Sequence, residues 1–152
     1  MKVRILSWNI NSVRLRIKSL VSIIEEYRPD VVCLQETKCP NDLFPYQDFY
    51  ELGLKNVLSN GIKSYHGVSI ATNLEVEKTE QKDFCKKKDG RHLSVTLSTK
   101  DKPLTIHNFY VPAGGDEPDP LINEKFKHKL DFLDEATKWL SSKRNKKELM
   151  LL

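Results

Sequence analysis

The chain has 152 residues, 39% of them hydrophobic and 30% charged, with 6 glycines and 7 prolines; this fits one domain with its own core and excludes global disorder and a fibrous or low-complexity chain. No apolar run approaches the ~18 residues of a membrane span, so no membrane partner is expected. Lys and Arg number 25 against 21 Asp and Glu, giving a formal charge of +4 and a pI of about 8.9, just short of the ~9 that would by itself suggest a nucleic-acid binder.

Residues 3–9 read as a strand, with Val3, Ile5, Leu6 and Trp8 apolar or aromatic and Ser7 and Asn9 closing the run. The opening Met1-Lys2-Val3-Arg4, with Arg14 and Arg16 close behind, is unlike a secretory signal, so a cytoplasmic protein is expected. Ser12 offers a helix N-cap. Val13, Ile17, Leu20, Val21, Ile24 and Tyr27 then recur at helical spacing, and Pro29 stops the helix just after Arg28. Val31-Val32-Cys33-Leu34 follows without alternation, as a strand covered on both faces of a parallel sheet requires. Strand, helix and buried strand form a βαβ unit, whose right-handed crossover makes the strands parallel and brings their carboxyl ends to one edge. Asn9, Asn11, Gln35, Glu36 and Lys38 belong to that edge, where ligands bind in open α/β sheets.

Residues 67–71 read as a short strand, and residues 91–98 as another, with Leu93, Val95 and Leu97 on one face. Lys100-Asp101-Lys102-Pro103 has turn chemistry. Residues 104–110 complete an antiparallel hairpin that leads into the breaker-rich stretch 112–120. Residues 123–140 are an amphipathic helix, with Phe126, Leu130, Leu133, Thr137 and Leu140 on one face. Lys147-Glu148-Leu149-Met150-Leu151-Leu152 turns from polar to apolar as a buried strand begins; natural C-termini usually fray in polar residues, so the chain is expected to be cut inside a core strand. Cys33, Cys39 and Cys85 contain no C-x-x-C pair and read as free thiols.

Glu36 is the most informative carboxylate, because it directly follows a buried strand at the ligand-binding edge. Mg²⁺ takes oxygen ligands, often one or two carboxylates plus substrate phosphate and water, and Glu36 with Asn11 nearby suits it. From spacing alone, a strand-end carboxylate bonded to loop amides is the commoner role. Asn9 and Asn11 could orient a phosphate, although asparagines after a strand are commonly turn-formers. The Tyr110 hydroxyl could project at the same edge, although a strand tyrosine is more often half-buried packing. His66, His92, His107 and His128 show no ligand spacing, and Lys86-Lys87-Lys88 with Lys82 and Arg91 fits a solvated loop more readily than a phosphate patch. There is neither a Walker A loop nor a dinucleotide-binding glycine fingerprint.

Four segments taken together carry a resemblance: Trp8-Asn9-Ile10-Asn11-Ser12-Val13-Arg14, Asp30-Val31-Val32-Cys33-Leu34-Gln35-Glu36-Thr37-Lys38-Cys39, Tyr65-His66-Gly67-Val68-Ser69-Ile70 and Asn108-Phe109-Tyr110-Val111-Pro112. In this order and spacing the chain resembles the exodeoxyribonuclease III and abasic-site endonuclease family of the endonuclease/exonuclease/phosphatase superfamily. The resemblance implies an α/β fold that is part of a four-layer α/β/β/α sandwich. It also implies a Mg²⁺-dependent DNA repair nuclease, with Mn²⁺ as an alternative ion, acting on double-stranded DNA at abasic sites or 3′ ends. Glu36 would be the metal carboxylate with Asn11 close to the metal, Asn9 would hold the hydrogen-bond network, and Tyr110 would contact the scissile phosphate. Arg91, in an Arg-x-x-x-Val pattern, and Lys38 would approach the DNA.

Family members continue into Gly-Asp-x-Asn, which aligns the attacking water, and Ser-Asp-His, which supplies a metal carboxylate and an acid/base histidine; neither motif occurs here. Residues 1–152 are therefore expected to be the amino-terminal portion of a single nuclease domain, monomeric when complete and inactive alone. The alternatives are a non-catalytic DNA-binding remnant or another phosphoesterase of the superfamily. The chain is expected to carry mostly one of the two inner sheets, leaving an apolar face open beside residues 149–152.

Overall fold

The computed structural model describes residues 2–100, 102–143 and, as backbone, 149–151. Strand β1 (Ile5–Asn9), helix α1 (Val13–Tyr27) and strand β2 (Val31–Gln35) form the expected βαβ unit, with β1 and β2 parallel from Ile5 opposite Val31 to Asn9 opposite Gln35. The ladder starts at Ile5 rather than Val3 because the Arg4 backbone is taken by Asp30: its amide donates to the Asp30 carboxylate at 2.7 Å and its carbonyl accepts from the Asp30 amide at 2.8 Å. Helix α1 buries Val13, Leu20 and Ile24 and ends at Arg28, whose left-handed backbone returns its amide to the Ile24 carbonyl just before Pro29. Ser12 stands at the N-cap position, but its side chain caps nothing. The Ser12 and Val13 amides instead donate to the Glu36 and Thr37 carbonyls at 2.8 and 3.0 Å, so the loop after β2 supplies the acceptors that a capping side chain usually provides.

Strand β2 is covered on both faces, but its sheet is mixed rather than parallel. Strands β3 (Asn56–Asn60) and β4 (Val68–Thr72) complete the order β1-β2-β4-β3, with β4 antiparallel to both its neighbours. The second sheet runs β5 (Val76–Glu80), β6 (His92–Leu97), β7 (Leu104–Phe109), β8 (Leu149–Leu151), with β6 and β7 forming the expected hairpin and β8 parallel to β7. Period-two alternation sorts each strand. Val32 and Leu34 face Leu20 and Ile24 of α1 and the short helix α2 (Tyr46–Glu51), while Val31 and Cys33 face Leu93, Val95 and Ile106 of the other sheet. Helix α3 (Glu124–Lys143) covers the far side of the second sheet, so the order of layers is α/β/β/α.

Both inner sheets are therefore represented, with four strands in each among the described residues, and the expectation of mostly one sheet is corrected. The chain crosses to the second sheet directly after β4. Among the described side chains, the large apolar ones that are exposed lie on helices and loops, Leu15, Leu121 and Ile122 being the most open, and none lies in a strand. Lys147, Glu148 and Leu152 of the predicted last strand, and Asp101 of the predicted turn, lie outside the described residues. All three cysteines are free, and burial pushes the Cys33 thiol up to about 12.

The face of α3 also differs from the one expected. Leu130 and Leu133 are 42% and 40% exposed, whereas Phe132 and Ala136 are buried and Trp139 packs beside them. Aromatic area sets the rotation: Phe132 lies 4.9 Å from the Phe84 ring and Trp139 5.0 Å, edge-on, from His92, burying more surface than the leucine stripe could.

His92 and His107 lie within this layer, Nε2 to Nδ1 at 3.0 Å, and His92 Nδ1 accepts from the Lys82 amide at 3.1 Å. His92 is thus neutral, with its proton on Nε2. Burial, reinforced by His107, pushes its pKa down from 6.5 to about 3. The unfolded chain then binds an additional proton between these values, so the stability this group contributes is complete above 6.5 and is lost as pH falls towards 3. Urea denaturation is expected to show about 2 kcal/mol lost by ~pH 5 on this account. His92→Gln should flatten that slope; an unchanged slope would assign the acid sensitivity elsewhere.

Candidate functional site

Because Asn9 pairs with Gln35 at the ends of two parallel strands, the segments that leave them start side by side. Asn11, Glu36 and Lys38 all take left-handed backbone conformations, with φ of 47, 53 and 48°, and these turns fold the two segments onto each other. Asn9 Nδ2 donates to Glu36 Oε1 at 2.9 Å. The Lys38 ammonium lies between Glu36 Oε2, at 3.2 Å, and Asn11 Oδ1, at 2.5 Å, so Asn11 reaches Glu36 through Lys38 rather than directly. Arg16 donates to the Asn11 carbonyl, tying the first turn of α1 to the cluster. The Asn9 hydrogen bond holds the Glu36 carboxyl below its usual pKa, with Tyr110 and Lys38 contributing against partial burial.

The second sheet brings the other members. The Tyr110 amide donates to the Arg91 carbonyl at 2.8 Å, extending the β6–β7 ladder by one pair, and strand alternation puts Tyr110 on the inner face with Asn108. The Arg91 guanidinium lies 4.9 Å from the Tyr110 ring centre, donates to the Tyr110 carbonyl at 3.1 Å and pairs with Asp89 at 2.5 Å. The Arg91 side chain is only 10% exposed. From there it braces Tyr110 and presents little surface to a ligand. Burial, then the bond to Glu36, raises the Tyr110 pKa, so the phenol keeps its proton at neutral pH.

Two groups in this network escaped the sequence reading. His66 Nε2 lies 3.0 Å from Arg91 NH2 and its ring is 5.7 Å from that of Tyr110; burial, then Arg91, lowers its pKa, and a neutral ring can accept from the guanidinium. The Thr37 amide donates to Gly67 at 3.1 Å and the Lys38 amide to His66 at 2.9 Å, so the segment entering β4 is zipped to the Glu36 loop. Gly67, at φ 87°, allows this approach: a Cβ there would collide with the Thr37 hydroxyl. Asn108 is the second group. Buried on β7, it donates to the carbonyls of Leu34 and Ser69, both at 2.9 Å, and accepts from Gln35 at 2.7 Å, joining the sheets behind the site. A polar residue inside an otherwise buried strand was the available signal for Asn108; His66 offered none beyond its place before Gly67.

Asn9, Gln35, Asn108 and Tyr110 line a cleft of about 500 Å³ between the sheets. Bonded to Asn9 of this lining is the ionised Glu36 carboxylate, with the Asn11 amide beyond it and the Lys38 ammonium between the two. This hard-oxygen set fits Mg²⁺ or Mn²⁺, which take few protein carboxylates and complete their shells with water and phosphate. Among the described residues, no three His, Cys, Asp or Glu side chains converge as a softer metal site would need.

The sequence model of the Endonuclease/Exonuclease/phosphatase family matches residues 6–144. Exodeoxyribonuclease III of Haemophilus influenzae is 31% identical across 99% of this chain and 55% of its own length. DNA-(apurinic or apyrimidinic site) endonuclease 2 of Xenopus laevis is 26% identical across 86% of this chain and 31% of its own length. An AP endonuclease structure from Archaeoglobus fulgidus superposes with a TM-score of 0.82 at 29% identity, over 95% of this chain and 53% of that one. A Neisseria 3′ phosphatase bound to a product DNA hairpin superposes at 0.80 with 22% identity, over 98% of this chain and 56% of that one. The chain thus spans about half the length of the first of these relatives and about a third of the second.

Proposed function

Because the chain belongs to the endonuclease/exonuclease/phosphatase family, we propose that it builds the metal- and phosphate-holding side of a DNA-repair nuclease site of exodeoxyribonuclease III type. The substrate class, double-stranded DNA at abasic sites or 3′ ends, is taken from what the similar proteins are named for. One observation carries the reading: Glu36, Asn9, Asn11 and Lys38 from one sheet and Tyr110, braced by Arg91, from the other form one connected network.

Glu36 and Asn11 would hold Mg²⁺, which when bound neutralises charge developing on the phosphodiester oxygens. Asn9 keeps the Glu36 carboxylate ionised and aimed, because its amide bonds one oxygen and leaves the other towards Lys38 and Asn11. The protonated Tyr110 hydroxyl, whose single proton is given to Glu36, would become a neutral donor for a phosphate oxygen on turning away from the carboxylate. Lys38 supplies positive charge at the same place and would meet a DNA phosphate there.

Aligning a water and assisting the departing oxygen need further groups, and Gly-Asp-x-Asn and Ser-Asp-His are absent from this sequence. The chain by itself is accordingly proposed to bind metal and DNA without cutting. A labelled abasic-site duplex, followed by fluorescence anisotropy and then by denaturing gel, tests both parts. Binding that Mg²⁺ strengthens, with strands left intact, is expected. No binding with or without Mg²⁺ would remove the DNA reading, and Mg²⁺-dependent nicking that vanishes in Glu36→Ala would remove the non-cutting part.

A further inference from the structure

We propose that Lys86, Lys87 and Lys88 form a second nucleic-acid contact, a cationic rim that takes backbone phosphates of the strand flanking the site; this rests on the reading of the protein as a DNA nuclease. The loop is fixed at both ends. Before it, Phe84 is buried under α3 against Phe132 and Trp139, the Cys85 amide donates to the Glu135 carboxylate at 2.7 Å, and the Lys87 amide returns to the Phe84 carbonyl at 3.0 Å. After it, Gly90 is packed so closely that a Cβ would lie 2.7 Å from the Asn60 carbonyl, and Asp89 is held by Arg91. Cys85 and Lys86 both adopt left-handed backbone conformations, φ 54 and 56°, at roughly 1–2 kcal/mol each. Between these anchors the three lysines are exposed.

Among the described residues Lys86, Lys87 and Lys88 form no ion pair, while the Asp131 and Glu135 carboxylates of α3 face Cys85 at the base of the loop. Lys82, Lys127, Lys138 and Lys143, by contrast, each pair with a carboxylate. Asp89, the adjacent acid, is committed to Arg91 at 2.5 Å. In the loop after Tyr110, the Glu117 backbone is held at the start of α3, where Asn123 donates to its carbonyl at 2.5 Å. Lys87 also faces α3: after burial, Lys87 and Arg91 are what lower the His128 pKa.

Reach sets the register. Lys88 is three residues before Arg91, so its Cα is within about 10 Å of the residue that braces Tyr110. One strand of duplex advances about 3.4 Å along the axis per phosphate, which puts Lys88 within about three nucleotides, and Lys86 within about five, of the phosphate at Tyr110. A run of cations at that spacing fits a polyanionic backbone better than one small anion.

The test uses this chain, a labelled duplex oligonucleotide and anisotropy over a range of salt concentrations. Each lost phosphate contact lowers the slope of log K against log[salt] by about 0.9. The triple variant Lys86→Gln, Lys87→Gln, Lys88→Gln is expected to lower the slope by about 2 and to weaken binding at least tenfold at low salt. The control Lys55→Gln, Lys100→Gln, Lys102→Gln makes the same change of charge among exposed lysines at the opposite sheet edge, and its slope should stay at the wild-type value. Thermal melting of both triples checks that each is folded. Equal slopes for the two triples, or a rim variant indistinguishable from wild type that itself binds, would overturn the rim alone. Wild type that binds no duplex even at low salt would overturn the rim and the DNA reading together.

Discussion

Glu36→Ala is expected to weaken Mn²⁺ binding by at least about 100-fold, or about 2.7 kcal/mol. Losing a group that merely orients a ligand costs 10–100-fold in metal proteins, and Glu36 is the carboxylate itself. Once it is removed, the Lys38 ammonium, 2.5 Å from Asn11, faces the site without a counter-charge and repels a second cation. Glu36→Gln should be nearly as poor, because it keeps the shape and loses the charge. The backbone of Glu36, which accepts the Ser12 amide, is unaffected by either change, so the melting temperature should hardly move. Mn²⁺ titration by electron paramagnetic resonance measures this directly; affinities within about threefold of wild type would mean that the ion is held by other groups.

Asn108→Ala should be the most destabilising single change near the site, at about 3 kcal/mol or more. Its amide serves two buried carbonyls and its oxygen serves Gln35. Truncation removes these three bonds and leaves a void between the sheets, and each buried group deprived of its partner costs about 1–3 kcal/mol. Asn108→Asp keeps the volume but points oxygen at two carbonyls, and should be at least as damaging above the carboxyl pKa. Urea midpoints at unchanged m-value would report the loss. A difference under about 1 kcal/mol would show that the sheets hold their spacing through apolar packing alone.

The first βαβ unit was legible because three signals agreed: helical spacing through α1, Pro29 after it, and an unbroken apolar run in β2. Parallel pairing then forced Asn9 and Glu36 together. Helix α3 was placed in the chain but not in rotation, since leucine spacing says nothing of the aromatic surface that Phe84 and His92 offer. Strands β3 and β5, Asn-Val-Leu-Ser-Asn and Val-Glu-Lys-Thr-Glu, carry too few apolar residues to announce themselves and form because β4 and β6 offer an edge. The half-and-half division of the sheets was hidden for a related reason, as composition does not reveal where a chain changes layer. Arg91 was singled out by pattern as a residue that would approach DNA, whereas its enclosure by Asp89, His66 and Tyr110 depends on three loops meeting.

The bonds that Asn108 makes have a kinetic side. The contact between Asn9 and Glu36 closes over 27 residues, with α1 filling the interval, whereas the bond from Asn108 to Leu34 closes over 74. Loop-closure entropy and contact order rank the first event ahead of the second. The carboxylate side of the site therefore belongs to a unit that assembles locally, and the tyrosine side arrives only when the sheets dock. A chain caught between these two steps would already hold Asn9 against Glu36 while Tyr110 was still remote, so affinity for a metal ion would precede recognition of phosphate during folding.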